Sequence, residues 1–223
     1  MYTLDKLHIP IWGTYVTTPN VNPDNATVAL AIDINNNQRQ DQRLVVHTDI
    51  LDPQQKGVAS HSSTLELKAN QTTQVDQLLN VTAPSLWQLA SPALYTARTH
   101  IKQGDQTIST RDTRFGFRTI RFDKDQGFFL NGQHTLIKGV NLHHDAGLVG
   151  TAVPDDVWRR RLTTLRNAGV NAIRTAHNPA SERFLDLCDE MGFLVQAEIF
   201  DEWDNPKDKR LNQQERHDDY ISR

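Results

Sequence analysis

From residue 27 onward the chain is written with a period of two. Val28, Leu30, Ile32 and Ile34 share one face of a run whose other face carries Ala29, Ala31 and Asp33, and Asn35-Asn36-Asn37 closes it. Such alternation describes a strand with one buried and one wet face. Further strands are expected at residues 43–51, 63–67, 73–81, 94–101 and 107–114, divided by polar or glycine-containing turns such as Gln103-Gly104-Asp105. No stretch before Phe122 repeats its apolar residues at helical spacing. About seven short strands in roughly 100 residues predict an immunoglobulin-like β-sandwich over residues 1–122.

Beyond Phe122 the pattern changes. Asn131-Gly132, flanked by Phe128-Phe129-Leu130 and Leu136-Ile137-Lys138, signals a hairpin. Residues 136–141 then read as a buried strand. Val153-Pro154-Asp155-Asp156 opens a helix with proline in the first turn and acids at its positive end. Val157, Trp158, Leu162, Leu165 and Ala168 give that helix one apolar face, and Gly169 stops it. A strand is expected at residues 170–174. A second helix follows at about 179–191, with Phe184, Cys188 and Met191 inward and Gly192 as its stop, then a strand at 193–197. Strand, helix, strand, helix, strand with short connections means parallel strands with crossover helices. A complete (β/α)8 barrel needs about 250 residues, so residues 123–223 are either a small open sheet or a barrel cut short. The charged stretch 201–223 reads as a long loop entering a third helix.

Composition narrows the partners. Hydrophobic residues make up 37%, and the polar excess lies in the Asn-, Gln- and Thr-rich first half, as half-exposed strands require. Lys plus Arg total 24 against 27 for Asp plus Glu, a net charge of -3, which gives no footprint for nucleic acid or an anionic membrane. No run approaches the roughly 18 consecutive apolar residues of a membrane helix. Cys188 is the single cysteine, so no intrachain disulfide forms. The first ten residues lack a basic, apolar and cleavage-site pattern; a cytosolic setting and a bacterial secreted protein both fit the single cysteine, and cytoplasmic is the expected location.

In parallel α/β units chemistry gathers at the carboxyl ends of strands. Three successive strand ends here are polar: Asn141-Leu142-His143-His144-Asp145, Arg174-Thr175-Ala176-His177-Asn178-Pro179, and Glu198 followed by Asp201-Glu202-Trp203-Asp204. His143, His144 and Asp145 are of metal-ligand type, but adjacent histidines point apart and no H-E-x-x-H or H-x-H spacing occurs. One of the pair is therefore expected to bind a polar ligand and the other to support the loop. Arg174 must meet an anion, because a buried unpaired guanidinium is costly. It either forms a structural pair, for which Glu198 is a candidate, or fixes a catalytic carboxylate. Trp203 offers a face for stacking or packs its own loop. Cys188 is expected to be a small core residue.

The segments Asn171-Ala172-Ile173-Arg174-Thr175-Ala176-His177-Asn178-Pro179 and Asp189-Glu190-Met191-Gly192-Phe193-Leu194-Val195 resemble glycoside hydrolase family 2, which includes β-galactosidases, β-glucuronidases and β-mannosidases. Leu136-Ile137-Lys138-Gly139-Val140-Asn141-Leu142-His143-His144-Asp145 is similar to the family's first barrel strand and loop. Leu86-Trp87, Ser91-Pro92-Ala93-Leu94-Tyr95 and Phe115-Gly116-Phe117-Arg118 are similar to the end of its immunoglobulin-like domain.

The resemblance implies that residues 123–223 are the first third of a TIM (β/α)8 barrel and that the chain is part of a retaining exo-β-glycosidase, with β-D-galactosides the first expectation and β-glucuronides or β-mannosides the alternatives. It implies a sugar-binding-like sandwich ahead of Met1. It also implies that His143 and His177 contact the glycone, that Arg174 holds the nucleophile, and that Asn178 lies in the pocket. Glu198 and Trp203 complete the expected substrate-binding set. The family's acid/base glutamate follows an Asn after the fourth strand, and its nucleophile lies near the seventh. This sequence has no Asn-Glu dipeptide, so neither catalytic carboxylate is expected within it, and the chain alone is expected to be inactive. No organic cofactor is implied. Glu202 falls where some β-galactosidases bind magnesium, but their nearby His is absent, so the expected set contains no metal ligand. A related carbohydrate is the expected partner, and a homo-oligomer of the full-length protein is allowed. Two alternatives of other classes are a carbohydrate-binding module without catalysis and a metal-dependent barrel hydrolase.

Overall fold

A computed structural model describes residues 3–199. The chain divides into two compact units, Met1–Thr135 and Leu136–Arg223.

The first unit is a β-sandwich. Strands β1 (Leu7–His8), β2 (Thr14–Val21), β3 (Asn25–Asn36) and β6 (Gln71–Thr82) form one sheet, in which β3 pairs with each of the others. Strands β4 (Gln42–Leu51), β5 (Gly57–Leu67), β7 (Tyr95–Gln103) and β8 (Gln106–Phe115) form the second, in the order β5-β4-β7-β8. All pairings are antiparallel. The chain changes sheets between β3 and β4, between β5 and β6, and between β6 and β7, as in an immunoglobulin-like sandwich. The period-two reading of β3 is confirmed: Val28, Leu30, Ile32 and Ile34 are buried and meet Leu44, Val46, Ile50 and Ile101 from the other sheet in one core. Each such side chain contributes about 1.5–3 kcal/mol on burial.

Polar side chains also cross or line this core. The Gln77 side chain donates through Nε2 to the Val46 carbonyl (3.0 Å), tying the sheets together. Thr48 and Thr99 share a hydroxyl–hydroxyl hydrogen bond of 3.0 Å.

A small sheet completes this unit: β9 (Ile120–Asp123), β10 (Gly127–Leu130) and β11 (Gln133–His134), in the order β11-β10-β9. Asn131 and Gly132 both take positive φ, 51° and 76°, as a two-residue primed turn needs. The hairpin signal was therefore correct, but its return strand is Gln133–His134, not Leu136-Ile137-Lys138.

The second unit is a β-α-β-α-β run: β12 (Gly139–Leu142), α1 (Asp155–Asn167), β13 (Ala172–Thr175), α2 (Glu182–Met191) and β14 (Leu194–Gln196). The strands are parallel in the order β12-β13-β14. The expected buried strand at 136–141 needs correcting. Leu136 and Ile137 are exposed, and pairing begins only at Gly139. Asn171 accounts for the difference: its Nδ2 donates to the Leu136 carbonyl (2.9 Å) and its Oδ1 accepts from Lys138 N–H (2.8 Å). A side chain thus does the bonding that a neighbouring strand would do.

Helix α1 starts after Pro154 with Asp155 and Asp156 in its first turn, against the positive end of the dipole. Helix α2 begins at Glu182, three residues later than expected. Ser181 caps it by accepting from Phe184 N–H (3.3 Å). Gly192 ends α2 in the left-handed region (φ 72°), the C′ geometry that glycine adopts without strain. Trp158 and Leu162 of α1 pack with Phe184, Leu187 and Cys188 of α2, Ile173 of β13 and Phe193.

Candidate active site

The carboxyl ends of β12, β13 and β14 bring the sequence-predicted polar residues together, each placed by the element before it. Arg174 sits in β13 opposite Gln196 of β14. Two residues past Gln196 the chain reaches Glu198, whose Oε1 accepts from Arg174 Nε–H. The carboxylate's other oxygen lies 3.5 Å from His177 Nδ1. The Glu198 side chain is 17% exposed, Arg174 35% and His177 45%, so the acid is the buried member of the cluster. Arg174 commits only Nε–H to Glu198. The Nη edge of its guanidinium has no hydrogen-bond partner among the described residues, and a planar fork of this kind suits a second carboxylate.

The two adjacent histidines take separate roles. His143 is exposed and its ring stands edge-on to His177, centroids 5.6 Å apart. His144 turns the other way, 5.1 Å from the Trp158 ring and 6.2 Å from Phe184. Burial there holds its imidazole below the ordinary value of 6.5, since charging it would cost hydration. The loop after β12 is tied to α1 a second time, because Arg161 donates to the Asp145 carbonyl while lying over the Trp158 ring. His144 thus anchors the loop, and His143 is turned toward the Arg174–Glu198–His177 cluster. Asn178 is exposed and lines a shallow depression with Leu142, His143, His144, Trp158 and Thr175.

Thr175 is a site residue that sequence reasoning missed. It is buried (4% exposed), and its Oγ1 accepts from Glu198 N–H at 2.9 Å. The β13–β14 ladder stops at Arg174 and Gln196, and the Thr175 hydroxyl takes over one step beyond it. Its place between Arg174 and His177 was the only clue in the sequence. Cys188 is buried as expected, and loss of hydration pushes its thiol up to about 12. Among the described residues no group of three or more His, Cys, Asp or Glu side chains is arranged to hold a metal. Asp201, Glu202 and Trp203 lie outside the described residues.

Known proteins share the sequence pattern and the fold. The sequence model "Glycosyl hydrolases family 2" matches residues 8–118, and "Glycosyl hydrolases family 2, TIM barrel domain" matches residues 122–209. A β-galactosidase of Bacteroides ovatus is 38% identical over 201 residues, which is 90% of this chain and 24% of that protein. A β-glucuronidase of Formosa agariphila is 31% identical over 208 residues, 87% of this chain and 21% of that protein. The crystal structure of a glycosyl hydrolase family 2 member from Bacteroides cellulosilyticus superposes with a TM-score of 0.87 at 35% identity, covering 92% of this chain and 26% of that one. The chain therefore spans about a quarter of the length of these relatives. With models of one family matching residues 8–118 and 122–209, the chain belongs to glycosyl hydrolase family 2 and comprises its β-sandwich followed by the opening strands of its TIM barrel.

Proposed function

We propose that these residues are part of a retaining exo-β-glycosidase that removes terminal β-D-galactosyl groups. The observation that carries the reading is Arg174. It stands at the carboxyl end of a parallel strand and is oriented by Glu198. Beside His177 and His143 it presents an Nη edge with no hydrogen-bond partner among the described residues. Retaining hydrolysis uses two carboxyl groups about 5–5.5 Å apart, one protonating the leaving oxygen and the other forming a glycosyl-enzyme. Both come from parts of the barrel outside these residues. Arg174 holds the nucleophilic carboxylate ionised and aimed at the anomeric carbon through its Nη edge. His143 and His177 meet hydroxyls of the glycone, and Asn178 borders the same depression.

Galactosides are favoured by the His177-Asn178-Pro179 sequence and by the β-galactosidase among the relatives. A relative named β-glucuronidase supports a second reading, a β-glucuronidase. A full-length protein containing this chain, assayed with aryl β-galactoside, β-glucuronide and β-mannoside, separates them. Turnover should be highest on the galactoside, and Arg174→Lys should lower kcat by orders of magnitude with the fold intact. Near-normal turnover in Arg174→Lys would make Arg174 structural and remove the site assignment.

A further inference from the structure

Glu198 uses its two carboxylate oxygens unequally. Oε1 is satisfied by Arg174, but Oε2 is buried and has no hydrogen-bond partner among the described residues. A buried carboxylate oxygen without a donor is costly. The ring nitrogen facing it, His177 Nδ1, is 3.5 Å away. A neutral imidazole carries its proton on one nitrogen and a lone pair on the other. With the proton on Nε2, the Nδ1 lone pair would face the carboxylate and the two would repel. With the proton on Nδ1, a slight closing of the gap satisfies Oε2.

We propose that Glu198 is a positioning residue, not a substrate ligand. It fixes His177 in the Nδ1–H tautomer while it holds the Arg174 fork, and the Thr175 hydroxyl keeps it in place for both tasks. The Thr175 hydrogen bond to Glu198 N–H lies just beyond the last β13–β14 pair, where the backbone no longer dictates position. One carboxylate thereby sets the orientation of a cation and the protonation pattern of an imidazole, as outer partners of histidine ligands do elsewhere. The consequence for chemistry rests on the glycosidase reading: in the neutral Nδ1–H tautomer, any group that meets His177 Nε2, a glycone hydroxyl included, must donate to it.

The tautomer can be read without any activity, from ring 15N shifts of His177 in this chain. Nδ1 should be of the protonated, pyrrole type. Glu198→Gln, which keeps the shape and removes the charge, should move the population toward Nε2–H. Thr175→Val should do so partly, and Thr175→Ser should restore the native pattern. An Nε2–H tautomer in the unmodified chain would overturn the proposal even if no variant folds, as would an unchanged pattern in folded Glu198→Gln. In a full-length protein Glu198→Gln should lower kcat by about a hundredfold, the order expected when an orienting contact is lost, with a smaller change in KM. A protein without turnover on any aryl glycoside but with the Nδ1–H pattern would remove the glycosidase reading and leave the positioning role standing.

Discussion

Replacing His144 by alanine tests whether the two adjacent histidines have the different roles that the fold gives them. His144 lies 5.1 Å from Trp158 and 6.2 Å from Phe184, and those two rings are 4.7 Å apart in the core of the second unit. Each aromatic contact is worth about 0.5–1.5 kcal/mol beyond simple burial, so losing two costs about 1–3 kcal/mol. That corresponds to roughly a 5- to 150-fold rise in the opening equilibrium, at 1.4 kcal/mol per tenfold. Hydrogen exchange of the α2 amides of Leu187 and Cys188, both buried in that core, should lose protection by this factor. His143→Ala, at an exposed position, should leave them unchanged.

Acid should imitate the His144 substitution. The folded His144 imidazole is harder to protonate than the unfolded one, so its stabilisation is complete above the ordinary value of 6.5. It is lost as pH falls through the lower folded value. Protection corrected for intrinsic exchange should therefore decline in that window in the native chain and not in His144→Ala. Equal effects of His143→Ala and His144→Ala, or unchanged protection in the latter, would refute the division of roles.

Ile32 is fully buried between the sheets, so Ile32→Ala should cost about 2–5 kcal/mol and lower the urea midpoint of the sandwich. The exposed Leu78 on the same sheet should tolerate alanine within about 0.5 kcal/mol. Cys188, buried and with its thiol pushed up to about 12, should resist a disulfide reagent at pH 8 until the second unit opens. Rapid labelling in native buffer would contradict its place in the core.

What the sequence made legible, and what it hid, follows from where each residue's environment is decided. β3 was readable because one face is wholly buried, and burial imposes the alternation. β2 was not, because it is an edge strand with Pro19 at a register shift between Thr17 and Asn20. Proline is tolerated only in such places. In β5 the alternating apolar signal is confined to Leu65 and Leu67, while Ser60 to Thr64 before them are polar and are held by main-chain pairing to β4. The apolar run at Leu136-Ile137 misled because it owes its bonding to Asn171, a residue 35 positions from Leu136.

At the site, strand-end position was enough to single out Arg174, His143 and His177, and Glu198 was recognised as a candidate partner of Arg174. The contact of His177 with the same carboxylate, and the hydroxyl of Thr175 beneath it, depend on the β13–β14 register. No spacing in the chain announces them.

Retaining chemistry in the longer protein is the central claim, and the configuration of the first-formed sugar tests it most directly. A full-length protein containing this chain, incubated with an aryl β-galactoside in an NMR tube, should release the β-anomer first, with the α-anomer growing in only by mutarotation. This is the outcome of two displacements through a glycosyl-enzyme. Release of the α-anomer first would mean a single inverting displacement, and would contradict the role of Arg174 as the residue that holds a nucleophilic carboxylate.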